Sequence, residues 1–180
     1  MLKTKFKKEK NYAYIDGANL HRGVISLGWE LDYARFRIWL KDKYKVEIAY
    51  LFLGLIPKYK SLYLSLQKAG FILVFKEVIY DDAGKPKGNC DADLVLQAAC
   101  DAYEEKFNKA VIVSSDGDYS GLVKFLLTRK KLKTILSPHS YEKCSILLKR
   151  TNASITYIND QRSLLKNFKK EKAPDEDETS

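Results

Sequence analysis

Short apolar segments alternate with amphipathic segments along this 180-residue chain, and this alternation constrains its fold more than any other feature. The apolar segments cover residues 11–15, 46–53, 71–75, 110–113, 133–136 and 154–158. Stretches with helical spacing of apolar residues cover 33–44, 58–69, 91–107, 119–130, 141–149 and 161–169. Strands that alternate with helices form a mostly parallel sheet that is covered on both faces. The sequence therefore predicts an α/β fold.

The chain is long enough for one domain, and its charged ends lie outside that domain. Residues 1–10 are rich in lysine and are predicted to form a basic arm, residues 11–168 the folded domain, and residues 169–180 a charged, disordered tail. No apolar run approaches the roughly 18 residues that a bilayer span needs, and residues 1–10 lack the apolar stretch of a signal peptide. We therefore expect a cytoplasmic protein without a membrane partner.

The formal charge of the chain indicates a polyanionic partner. The net charge is +9, and the last ten residues hold five acidic residues and one lysine, so the remaining 170 residues carry +13. Net charge of this size bears on partners more than on fold, and RNA or DNA is the natural candidate. Simple solubility is the alternative explanation if charge is considered alone.

Carboxylates follow several of the predicted strands at the point where each strand ends. Asp16 follows the first strand, Asp116 and Asp118 follow the fourth, and Asp91 opens the helix after the third, with Asp93 two residues later. In parallel sheets the ligand site lies at the carboxyl ends of the strands, at a switch point in strand order. These side chains are therefore expected at one edge of the sheet.

Grouped carboxylates predict a divalent cation. Each aspartate alone could be a helix cap or part of a turn. Together they would repel one another by about 4 kcal/mol per pair at 4 Å and an effective dielectric of about 20, so a bound cation is needed. Ligands that are all oxygen suit Mg²⁺ or Mn²⁺ better than zinc, and Asn19 offers a neutral amide that could orient Asp16.

Residues beside these carboxylates suit phosphate chemistry. Lys85 and Lys87 lie in a Gly- and Pro-containing loop just before Asp91, and Ser114 and Ser115 place hydroxyls beside Asp116. We predict that these four residues contact nucleic acid. A metal that polarises a phosphoryl oxygen and activates water hydrolyses phosphodiester bonds.

Three motifs in order resemble the NYN domain, a branch of the PIN-like nuclease superfamily that includes LabA-like and limkain-type proteins. They are YIDGAN from position 14, KGNCD from position 87 and VSSDGDY from position 113, and the similarity covers about residues 11–160. The resemblance implies a Rossmann-like three-layer sandwich and a Mg²⁺- or Mn²⁺-dependent endoribonuclease acting on RNA. It also implies catalytic roles for Asp16, Asp91, Asp116, Asp118 and Asn19, with the four carboxylates as metal ligands.

Several alternatives stay open at this stage. Asp16 and Asp116 are the favoured main ligands, with Asp118 as an outer ligand or helix cap, and Asp91 is favoured over Asp93. A weakly active or inactive RNA-binding module of the same fold is the second hypothesis. A HAD-like phosphatase needs a second aspartate two residues after the first, and Ala18 stands at that position. A glycosyltransferase is supported only by the Asp-x-Asp spacing of Asp116 and Asp118. The oligomeric state is open, with a homodimer as one alternative.

Overall fold

The computed structural model describes residues 9–76, 79–80, 86–87 and 90–168, with the backbone alone for residues 79–80 and 86–87. The predicted tail at 169–180 and all but the last two residues of the predicted basic arm lie outside the described residues. Within these ranges, none of the helices has both the length and the apolar character that crossing a membrane requires.

Strands and helices alternate along the chain as the sequence predicts. The strands are β1 (Asn11–Asp16), β2 (Val46–Gly54), β3 (Ile72–Lys76), β4 (Ile79–Tyr80), β5 (Pro86–Lys87), β6 (Ala110–Val113), β7 (Leu132–Ser137) and β8 (Ile155–Tyr157). The helices are α1 (Gly17–Ser26), α2 (Tyr33–Tyr44), α3 (Lys60–Lys68), α4 (Asp91–Tyr103), α5 (Ser120–Thr128), α6 (Ile146–Lys149) and α7 (Arg162–Leu165). Short 3₁₀ turns cover Pro57–Tyr59, Gly117–Tyr119 and Ile158–Gln161.

Six strands form one parallel sheet in the order β3-β2-β1-β6-β7-β8, and β4 pairs with β5 in a separate antiparallel ribbon. The predicted α/β fold with a mostly parallel sheet is confirmed. Strand order reverses at β1, because the chain first adds β2 and β3 on one side and then adds β6, β7 and β8 on the other. The crevice between the carboxyl ends of β1 and β6 is therefore the switch point where such sheets bind ligands.

Residue alternation along the strands divides the core between the two faces of the sheet. In β1, Ala13 and Ile15 pack into the cluster beneath α1, α2 and α7, while Tyr12 and Tyr14 pack into the cluster beneath α4 and α5. All four side chains are buried. The sheet thus forms the middle layer of a three-layer sandwich, which holds the strand ends, and the loops that follow them, in fixed positions.

The stretch after β1, where Asp16 alone could be a helix cap or part of a turn, is the start of a helix. Helix α1 begins at Gly17, and the side chain of Asp16 caps it by accepting a hydrogen bond from the Asn19 backbone N–H at 2.9 Å. Asp and Gly favour turns, but Asp is also among the best residues at a helix N-cap. The local sequence alone did not separate these two outcomes.

Three predicted helices are markedly shorter than their apolar spacing suggested. The one predicted over 161–169 forms only as α7, because Lys166 adopts an extended conformation. Helix α4 ends at Tyr103 because Glu105 adopts a positive φ of 57° and the chain turns there, which lets Phe107 pack into the core. The helix predicted over 141–149 is formed only as α6, because Ser145 caps it and the residues before Ser145 belong to a loop.

Candidate active site

Asp16 lies at the switch point, where β1 ends and α1 begins. Its side chain is only 9% exposed, and its Oδ1 accepts the Asn19 backbone N–H. Gly17 follows without a side chain because a Cβ there would lie 2.8 Å from the backbone oxygen of Phe52 in the neighbouring strand. This close packing fixes the direction of the Asp16 carboxylate at the edge of the sheet.

Three further carboxylates come together beside Asp16. They belong to Asp91, Asp116 and Asp118, and each offers one carboxylate oxygen that lies within 4.8 Å of the other two. We call these three residues the carboxylate group. Asp91 opens α4, whereas Asp116 and Asp118 lie in the loop after β6, where Asp116 Oδ1 accepts the Asp118 backbone N–H at 3.1 Å. Asp118 is exposed, so the group is open to solvent.

The hydroxyl of Tyr119 joins Asp16 to the carboxylate group. It lies 3.3 Å from Asp16 Oδ2 and makes a short hydrogen bond with Asp91 Oδ1. The tyrosine is fully buried, and burial together with the adjacent Asp16 charge raises its pKa, so the hydroxyl keeps its proton and acts as a donor. Burial also raises the pKa of Asp16, and the charge of Asp91 adds to this shift, while the Asn19 and Tyr119 hydrogen bonds oppose it.

Ser114 and Ser115, predicted to contact nucleic acid, form internal hydrogen bonds here. Ser114 Oγ accepts the Asp116 backbone N–H at 3.1 Å. Both the N–H and the hydroxyl of Ser115 reach Asn19 Oδ1, at 3.0 and 2.9 Å. The Asn19 side chain therefore fixes the loop that carries Asp116, while its backbone N–H, rather than its amide, orients Asp16.

His139 extends this hydrogen-bond network from the loop after β7. Its Nδ1 lies 2.6 Å from Ser115 Oγ. Burial lowers the pKa of His139, and the charges of Lys143 and Arg22 lower it further. A neutral imidazole and two nearby cations thus lie next to the switch point.

Sequence reasoning missed Tyr119 and His139 as parts of this site. Tyr119 meets Asp16 and Asp91 across 103 and 28 residues of sequence, and no local pattern encodes those contacts. The one available signal was its place directly after Asp118 in the third motif. His139 had a comparable signal, because it follows the end of the fifth predicted strand.

The structure separates Asp91 from Asp93. Asp91 belongs to the carboxylate group, whereas Asp93 Oδ2 lies 3.0 Å from Lys76 Nζ at the end of β3. Of the predicted phosphate contacts, Lys85 lies outside the described residues, and Lys87 is described only as part of the β5 backbone.

The donor set fits a hard divalent cation. The possible ligands in the carboxylate group are all carboxylate oxygens, and oxygen ligands suit Mg²⁺ or Mn²⁺. Asp16 lies on the buried side of the same group, where both of its oxygens accept hydrogen bonds. The predicted ranking, in which Asp16 and Asp116 are the main ligands and Asp118 is an outer one, stays a prediction.

The fold and the site together define a Rossmann-like α/β domain with an acidic site at its switch point. A sequence profile of the NYN domain matches residues 12–159, and the chain therefore belongs to the NYN family, within the PIN-like nuclease superfamily. The predicted resemblance is confirmed.

A solved structure supports the same fold. A Vibrio parahaemolyticus protein of unknown function superposes with a TM-score of 0.73 at 24% sequence identity, over 90% of this chain and 99% of that one. At this identity the likeness shows the fold alone. No curated protein matches the chain at a significant level.

Proposed function

We propose that this protein is a metal-dependent endoribonuclease that hydrolyses RNA phosphodiester bonds at the carboxylate group. One observation carries this proposal: Asp91, Asp116 and Asp118 converge at the switch point of the sheet, open to solvent and backed by the buried Asp16. Membership of the NYN family and the positive charge of the chain support RNA as the substrate.

Mg²⁺ or Mn²⁺ would be held by Asp91, Asp116 and Asp118, with Asp16 closing the buried side. The cation, when bound, supplies a Lewis acid for the phosphoryl oxygen and lowers the pKa of a water. The protein's own contribution is to fix the carboxylates. The Tyr119 hydroxyl keeps its proton and donates its one hydrogen bond between Asp91 Oδ1 and Asp16 Oδ2, and the Asp118 backbone N–H donates to Asp116 Oδ1.

The surrounding residues would position RNA and the loop after β6 that carries Asp116 and Asp118, which we call the acidic loop. Asn19 and Ser115 join the loop after β6 to α1, so the distance between Asp16 and Asp116 is fixed across the crevice. Arg22 and Lys143 are exposed and lie close enough to His139 to affect its pKa. Their charges would neutralise phosphates of an RNA bound at the crevice.

The direct test uses purified protein and a fluorophore-labelled RNA with Mg²⁺, Mn²⁺ or EDTA. Single-turnover rates are compared for wild type, Asp116→Asn and Asp118→Asn. Asp42→Asn is a matched control, because Asp42 is also an exposed carboxylate but lies far from the site. It stands near the end of α2, just before the start of β2, whereas the site lies at the opposite ends of the parallel strands. A circular RNA of the same sequence separates internal cleavage from digestion at ends.

We expect metal-dependent cleavage of both linear and circular RNA. Loss of a metal ligand removes most of the turnover, so Asp116→Asn should eliminate cleavage. Asp118→Asn removes a carboxylate of the same group and should also remove most of the cleavage. Asp42→Asn should cleave as wild type does. RNA that is bound but left intact with either metal would favour the RNA-binding module instead.

A further inference from the structure

The segment from His139 to Lys149 is attached to the acidic loop at two points. His139 Nδ1 bonds to Ser115 Oγ at 2.6 Å, and the Ser145 backbone N–H donates to the Ser115 carbonyl at 3.0 Å. Ser145 also packs so closely on Gly117 that any side chain at position 117 would collide with it. The residues between these points are therefore held beside Asp116 and Asp118.

Tyr141 lies between the two attachment points and presents an aromatic ring to solvent. The residue is 61% exposed. Lys149 Nζ lies 4.0 Å from the centre of its ring, and the Tyr157 ring contacts it edge-on at 5.9 Å between centres. Tyr157 is the last residue of β8, whose carboxyl end lies at the same edge of the sheet as the carboxylate group. The ring is thus exposed but held in place from two directions.

The surface around Tyr141 combines apolar area with positive charge. Ile146 and Leu147 are 56% and 48% exposed, and Leu147 packs against Gly117 of the acidic loop. Residues 141–150 contain Lys143, Lys149 and Arg150 against the one acid Glu142. An aromatic ring with cations around it matches a nucleotide, which offers a flat base and a negative phosphate.

We propose that Tyr141, held by Lys149 and Tyr157, is a base-stacking subsite for a nucleotide next to the phosphate at the carboxylate group. This inference rests on the proposed ribonuclease function and names a residue that would position its substrate. Stacking needs a base that is not enclosed in a duplex, so the subsite favours an unpaired nucleotide. Tyr141 supplies the stacking surface, and Lys149 supplies charge for the adjoining phosphate.

The test measures binding without cleavage, using fluorescence anisotropy of a labelled single-stranded RNA in EDTA. Tyr141→Ala removes the ring, and Tyr141→Phe restores it without the hydroxyl. Tyr103→Ala is the matched control, because Tyr103 is 74% exposed and also lies beside a cation, Arg129. It ends the 13-residue helix that Asp91 opens, about 18 Å from the carboxylate group.

We expect Tyr141→Ala to weaken single-stranded binding by about 5- to 150-fold, the range for loss of one stacked base. Tyr141→Phe and Tyr103→Ala should stay within about twofold of wild type. Tyr141→Ala should not change the slope of the logarithm of affinity against the logarithm of salt concentration. Lys149→Ala should make that slope shallower, by the amount expected for about one lost phosphate contact. An abasic RNA of the same length should bind wild type and Tyr141→Ala equally.

Three results would overturn the subsite. The first is unchanged RNA affinity in Tyr141→Ala with a normal melting temperature. The second is an equal loss of affinity for abasic and normal RNA. The third is loss of self-association, measured by light scattering, with RNA affinity intact, which would assign the surface to contacts between copies of the chain. Tyr141-dependent binding without cleavage would contradict the proposed hydrolysis alone, whereas cleavage without Tyr141 dependence would contradict only the subsite.

Discussion

Replacing Asp16 by asparagine should make the metal-free protein more stable. Asp16 is buried, and its Oδ2 shares the Tyr119 hydroxyl with Asp91 Oδ1, so the two carboxylate oxygens lie no more than about 6 Å apart. Two negative charges at that distance repel by about 3 kcal/mol at an effective dielectric of about 20. Asparagine removes this repulsion together with the cost of burying a charge.

The favourable contacts of Asp16 largely survive the substitution. An asparagine side chain can still accept the Asn19 N–H, because Asn caps helices about as well as Asp does. Its amide can donate to the Tyr119 oxygen, whose proton then goes to Asp91. We expect the free energy of unfolding to increase by about 1–3 kcal/mol. For a chain of this length, this corresponds to an increase in melting temperature of about 3–10 °C.

Thermal unfolding in EDTA at pH 7.5, followed by circular dichroism, measures this gain. Asp118→Asn is the comparison, since its carboxylate is exposed and its removal should change stability by less than about 1 kcal/mol. Added Mn²⁺ should raise the melting temperature of wild type more than that of Asp16→Asn, by linkage to binding. An EDTA melting temperature at or below that of wild type would refute the argument from charge repulsion.

Two further predictions concern the loops around the site. Gly23→Ala should lower the free energy of unfolding by about 1–3 kcal/mol, because a Cβ there would lie 2.8–2.9 Å from atoms of the loop after β7. Gly121→Ala is the control, since the space around Gly121 is open, and it should be neutral or slightly stabilising. Chemical denaturation measures both effects. The folded-state pKa of His139 is lowered below its ordinary value of 6.5, so the unfolded chain binds more protons and stability should fall as the pH drops below about 6.5. His139→Gln should flatten that slope between pH 5 and 7, and an unchanged slope would show that other groups cause it.

The sheet was predictable from sequence because each buried strand is a short apolar run with a clear end. All six strands of the parallel sheet were identified to within two residues at each end. Helix boundaries were harder to predict where long-range contacts determine them. The stretch 141–145 has helical spacing, but the bonds of His139 and Ser145 to Ser115 hold it as a loop.

The candidate site was predictable to the extent that strand ends reveal it. Placing Asp16 and Asp116 directly after strands was enough to bring them to one crevice. The roles within the crevice were not predictable, because they depend on contacts such as that of Tyr119, whose ring crosses from the α5 side to reach Asp16. Asn19 illustrates the same limit, since its side chain bonds to a loop 96 residues away rather than to its neighbour.

The central position of β1 has a consequence for when the candidate site forms during synthesis. β1 pairs with β2 on one side and with β6 on the other, and residues that pair across the second contact, such as Tyr12 and Ala110, are about 100 positions apart. A nascent chain that has exposed only β1 to β3 leaves one edge of β1 open, and Asp16 has not yet met Tyr119. Pairing over such separations is slow, and chains generally fold in the order in which they emerge. The acidic crevice is thus completed late, so a partly translated chain cannot yet assemble the site.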